Sequence, residues 1–181
     1  MSDFGVVHEP NTLRFERVLP GPIDRVWAYL TESEKRGTWL ASGKMELRVR
    51  GRVELHFHHA DLSPQLEPTP EQYKEMENGH TNYGHVTRCD PPHLLSFTWA
   101  EDSGDYTEVT FELTPLNGDV LLVLTHRRLE NMDLMIDVAS GWHTHLGILG
   151  DRLRHRDPRP FWSTHTKMIM AYEAHFASGK N

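Results

Sequence analysis

Val138-Ala139-Ser140-Gly141-Trp142-His143-Thr144-His145-Leu146-Gly147-Ile148-Leu149-Gly150-Asp151-Arg152-Leu153 is the stretch on which the architecture turns. Val138, Trp142, Leu146, Leu149 and Leu153 recur every three or four positions, which is the period of one helix face. The pattern begins past Asn131 and is bounded by Pro158, so it predicts the longest helix of the chain. Immediately upstream the period is two. Tyr83 to Cys89 ends at Asp90-Pro91-Pro92, Leu94 to Trp99 ends at an acidic turn, and Tyr106 to Leu113 and Val120 to Arg128 flank the turn Pro115-Leu116-Asn117-Gly118-Asp119. Strands joined by short turns and then closed by one long helix read as an antiparallel meander rather than a parallel α/β fold.

The first half of the chain fits the same plan. Thr12 to Leu19 alternates as a half-buried strand that stops at Pro20-Gly21-Pro22, and Ile23, Val26, Trp27 and Leu30 follow at helical spacing. Thr31 to Trp39 reads as a second short helix. Met45, Leu47 and Val49, then Val53, Leu55 and Phe57 across Gly51, read as a β-hairpin. Ala60 to Asn82 carries three prolines and little periodicity and reads as a long, mobile loop, with a helical turn or two at Pro70 to Met76. A last helix from Phe161 toward Phe176 places Trp162, His165, Ile169, Tyr172 and Phe176 on one face. The expected fold is α+β: a curved antiparallel sheet wrapped around a long C-terminal helix, with two short helices after the first strand. One domain over residues 1–181 is expected, with a core at about 12–157 and a helical extension at 158–181.

At 181 residues, 38% hydrophobic and 25% charged, the chain has the composition of a folded globular protein. A net charge of −7 spread along the chain argues against nucleic acid as a partner. The basic run Arg152 to Arg156 reads as a solvated helix end. A lone Cys89 forbids an intrachain disulfide, no apolar run is long enough to cross a bilayer, and the N-terminus lacks signal-peptide character. A cytoplasmic location is the resulting expectation.

Several local motifs sharpen the fold reading. Pro22-Ile23-Asp24-Arg25-Val26-Trp27-Ala28-Tyr29-Leu30 leading to Trp39, Gly84-His85-Val86 before Asp90-Pro91-Pro92, Phe97-Thr98-Trp99, Val109 to Leu113, Leu122 to His126, and Gly141-Trp142 are the residues concerned. Over about Leu13 to Leu153 they resemble the SRPBCC (START-like, helix-grip) superfamily, and within it the branch related to activator of the heat-shock 90 chaperone ATPase. The resemblance implies a cavity between sheet and long helix and no shared catalytic motif, since members include lipid carriers, hormone receptors, polyketide cyclases and chaperone regulators.

On that plan the candidate ligand-binding residues are Trp142, Leu146, Leu149, Leu122, Leu124, Phe111 and His126. Gly141, Gly147 and Gly150 remove bulk from the long helix, which favours a cavity there. His126 follows Leu122 and Leu124 on one strand face, and His145 borders the helical stripe; these two are the candidate proton carriers. Thirteen histidines prompt a search for metal ligands, but His56 and His58 fall on the outer strand face, with His59 on the other, and His143 and His145 diverge on their helix. No metal and no cofactor are expected. Cys89 lies beside Asp90, which disfavours a reactive thiolate, and no nucleophile elbow or phosphate loop occurs. The expected function is a small-molecule binding protein for an apolar or aromatic ligand. A cyclase-like enzyme using the same cavity and a chaperone-regulating interaction protein are the alternatives, with a homodimer through the last helix as a further expectation.

Overall fold

The computed structural model describes residues 3–104 and 106–179. Seven antiparallel strands form one open sheet: β1 (Val6–Glu9), β2 (Thr12–Pro20), β3 (Arg52–Phe57), β4 (His80–Asp90), β5 (Leu94–Trp99), β6 (Thr107–Leu116) and β7 (Asp119–Arg127), in the order β1-β2-β7-β6-β5-β4-β3. Two short helices, α1 (Ile23–Thr31) and α2 (Ser33–Gly37), lie between β2 and β3. The long helix α3 (Met132–Leu153) packs on the inner sheet face, and α4 (Phe161–Ala177) lies along α3. This is the helix-grip arrangement.

The alternation in the strands builds the inner face row by row. Leu13, His126, Val109 and Phe97 sit opposite one another across β2, β7, β6 and β5, and Phe15, Leu124, Phe111 and Leu95 form the next row. All eight are buried. β4 meets β5 so closely at Gly84 that a Cβ there would stand 2.0 Å from the Thr98 carbonyl oxygen, so only glycine permits this pairing. Asn131 caps α3, its side chain accepting from the Leu134 N–H at 2.8 Å.

Arg36, almost wholly buried, ties the end of α1 to the turn after α2. Its guanidinium donates to the carbonyls of Thr31 at 2.9 Å, Ala41 at 3.1 Å and Leu30 at 3.5 Å, which are groups left open at the end of α1 and in the turn after α2. Burial pulls its pKa down to about 10, so it remains charged at neutral pH. The turn it holds carries Trp39, whose carbonyl becomes part of the site described below.

Two elements differ from the sequence reading. Residues 44–49 do not form a regular strand: Ser42 and Met45 make isolated bridges to His56 and Val53, and the chain turns at Arg50 with φ 66. Met45 packs on the core, but Leu47 and Val49 are exposed, so beyond Met45 no apolar contact holds that arm extended. Conversely, Val6–Glu9 is a strand that the sequence reading omits, pairing with Leu13 and Arg14 and turning back at Asn11. Only two β-formers mark it, and a tertiary contact holds it: the Gly5 N–H donates to the Tyr172 hydroxyl at 2.7 Å.

The segment between β3 and β4 contains 3₁₀ turns at His59–Asp61 and Glu71–Met76, and it packs against α4 through Tyr73 and His59. The aromatic face of α4 meets α3 through Tyr172 and this segment through Trp162. No described helix is long and apolar enough to cross a membrane.

Candidate functional site

Where α3, α4 and the β3–β5 side of the sheet diverge, they leave a cavity of about 190 Å³. Trp99, Trp142, Trp162, Phe57 and Phe161 wall it, together with Leu40, Met76 and Val138. The rings interlock: Trp99 meets Trp142 edge-on at 5.3 Å between centroids, Phe161 meets Trp162 edge-on at 4.9 Å, and Tyr73 stacks on Trp162 at 5.3 Å. Gly141 opens onto the same space, and a Cβ built there would have no atom within 4 Å.

Five histidines join this aromatic wall. Val53, Leu55 and Phe57 point inward on β3, and His59 continues inward in the turn that follows, stacked on Phe161 at 4.2 Å. His80 faces Phe57 across the β3–β4 ladder with the rings parallel at 4.8 Å. His165 comes from the first turns of α4, His145 from α3 and His126 from the end of β7.

His126 is enclosed and fully bonded. The Trp142 indole N–H donates to His126 Nδ1 at 2.8 Å, and His126 Nε2 lies 2.6 Å from Thr107 Oγ1. Because an indole only donates, Nδ1 must carry the lone pair, so the neutral ring bears its hydrogen on Nε2 and donates to Thr107. Burial pushes its pKa down to about 3. His145 Nδ1 sits 2.8 Å from the Trp39 carbonyl oxygen and must donate to it, which leaves Nε2 as an acceptor. Burial pulls this ring down to about 4 even though the carbonyl bond acts in the opposite direction. His59 is lowered to about 2 by burial and by the neighbouring His145 and His80; His80 and His165 are lowered by burial.

Of the sequence candidates, Trp142, His126 and His145 line the cavity. Phe111 lies behind Trp142, edge-on at 5.7 Å. Leu122, Leu124 and Leu149 are buried in the core between sheet and helix and do not reach the space. Leu146 borders a separate, polar recess of about 280 Å³ beside Arg17, Arg154 and Arg159. Gly147 and Gly150 are covered by the guanidinium groups of Arg159 and Arg154, so Gly141 is the one of the three helix glycines that opens onto the aromatic cavity. The sequence reading missed Phe57, His59, His80, Trp99, Phe161, Trp162 and His165. For Phe57 and His59 the inward parity of β3 was the available signal. Among the described residues, no group of three His, Cys, Asp or Glu converges as a metal ion would require.

Sheet, gripping helix and the aromatic-lined pocket between them together define a helix-grip protein of the SRPBCC type. The chain belongs to the family described as Activator of Hsp90 ATPase homolog 1-like protein, whose model matches residues 20–154. A protein of Bordetella parapertussis, known by its solution NMR structure, is 41% identical over 95% of this chain and 92% of its own, with a TM-score of 0.78. CalU16 from Micromonospora echinospora has the same fold at 20% identity and TM-score 0.64, covering 90% of this chain and 86% of its own. DynU16, a protein in the dynemicin biosynthetic locus, matches at 16% identity and TM-score 0.60, covering 83% of this chain and 49% of its own. No curated protein matches the chain.

Proposed function

We propose that this protein binds a small, planar aromatic molecule in the cavity between α3, α4 and the β3–β5 side of the sheet. The carrying observation is the space of about 190 Å³ walled by three indoles and two phenylalanine rings. An apolar cavity on the order of 150 Å³ accepts a benzene ring, so a somewhat larger, partly open space is of the size that takes a small aromatic guest. Aromatic walls favour flat guests through offset and edge-on contacts. The occurrence of DynU16 in a biosynthetic locus is in keeping with small-molecule handling on this fold.

Binding is favoured over proton-transfer catalysis by His126 or His145. A general base acts best with a pKa near the working pH, whereas these rings sit at about 3 and about 4 and each already holds a partner. In this reading His126 orients Trp142, and His145 anchors α3 to the turn carrying Trp39.

The test is a titration of the protein's tryptophan fluorescence with 2-naphthol, with melting temperature followed in parallel. Quenching and a raised melting temperature, both lost in Trp142→Ala, are expected. If a panel of one- and two-ring aromatics leaves both signals unchanged, the binding reading fails; stimulation of an Hsp90 ATPase in that case would replace it with the activity named by the family.

A further inference from the structure

The polar part of the cavity wall is chemically uniform. The side chains of His59, His80 and His165 make no hydrogen bond among the described residues, and in each the Nδ1 is wholly enclosed. All three residues line the cavity and Nε2 is not among the wholly enclosed atoms, so it is the nitrogen each ring can offer a visitor. His145 adds a fourth such nitrogen, because its Nδ1 is committed to the Trp39 carbonyl. His59, His145 and His165 are each more than nine-tenths buried. The enclosed Nδ1 atoms are beyond a guest's reach, whereas a hydrogen bond to the Nε2 edge of such a ring, shielded from bulk water, adds to the binding of a guest that can make it.

We infer that the guest is a small hydroxylated aromatic, a phenol or one of its polyhydroxylated relatives, whose hydroxyls pair with the imidazoles of His59, His80, His145 and His165. This deepens the binding reading above and rests on it. A neutral imidazole presents one donor or one acceptor at each nitrogen, and a hydroxyl can supply either complement by rotating. The rings stay neutral because burial disfavours their charged form. An ionised carboxylate or phosphate fits poorly: among the described residues the cavity lining contains no Lys or Arg and does contain Asp137, which accepts from the Tyr73 hydroxyl at 2.9 Å. A plain hydrocarbon would leave the nitrogens unmet.

The experiment compares naphthalene, 2-naphthol, 1,3-dihydroxynaphthalene and 2-naphthoate with the full-length protein at pH 7.5, by tryptophan fluorescence and calorimetry. Hydrophobic transfer alone ranks naphthalene tightest. The inference expects the diol to bind at least tenfold more tightly than naphthalene, and naphthoate to bind more weakly than 2-naphthol. The double variant His59→Phe with His165→Phe should bring diol and naphthalene within about threefold while keeping naphthalene binding. His80→Phe is a second, independent variant expected to narrow the gap. Equal affinities in the unmodified protein would overturn the inference while leaving the aromatic-binding reading intact. So would tighter binding of naphthoate, or a preference that survives in both variants. Binding of none of the four would overturn the inference and the reading beneath it together.

Discussion

Gly141 offers the sharpest test of the cavity, because the same residue controls helix stability and free space. It lies in the interior of α3, lines the aromatic cavity, and a Cβ placed on it meets nothing within 4 Å. Gly141→Ala should gain ~1 kcal/mol from helix propensity alone. For a chain of this length that corresponds to a melting temperature higher by about 2–4 °C. Gly141→Leu keeps most of that gain and puts four carbon atoms into the space, adding ~1.5–3 kcal/mol if the side chain is fully buried there. Its melting temperature should exceed that of Gly141→Ala, while its affinity for 2-naphthol should drop at least tenfold because the guest's volume is taken. Calorimetric melting and the fluorescence titration read both effects on the same samples. A destabilised Gly141→Leu protein would mean that the space is not available to a side chain. A stabilised protein with unchanged naphthol binding would mean that the guest binds elsewhere.

Acid should unfold this protein through its buried histidines. The folded-state pKa values of His59, His126 and His145 lie at about 2, 3 and 4, below the unfolded value near 6.5, so the unfolded chain takes up protons first as pH falls. Their contribution is complete above about pH 7 and is lost downward from 6.5, at up to ~1.4 kcal/mol per unit and residue; that is up to about 6 kcal/mol by pH 5, a large share of ordinary domain stability. Circular dichroism should show loss of structure between about pH 5.5 and 4, and an unchanged spectrum at pH 3 would contradict the assignment. Arg36→Met removes the donor from the carbonyls of Leu30, Thr31 and Ala41. Each unmet carbonyl should cost ~1–3 kcal/mol, so a urea midpoint equivalent to a loss of ~3 kcal/mol or more is expected, and a loss under ~1 kcal/mol would show that the guanidinium is dispensable.

Local pattern was enough to establish the architecture. Period two in Leu94 to Trp99 and in Val120 to His126, period 3.6 from Val138 to Leu153, and the proline and glycine stops between them determine which faces must be buried, and one sheet gripping one helix buries them all. Where the pattern carried little apolar information, the reading failed: Leu47 and Val49 alternate correctly but have no core to face, and Val6–Glu9 is held by partners in β2 and by Tyr172. The site was legible only in part. Trp142, His126 and His145 could be placed because the helix and strand that carry them are regular. His59, His80 and His165 could not be placed together, since they reach the cavity from a 3₁₀ turn, from the start of β4 and from α4. A strand or helix face follows from neighbours a few positions apart, whereas a cavity is the volume left over among distant elements, and only their tertiary packing decides which side chains border it.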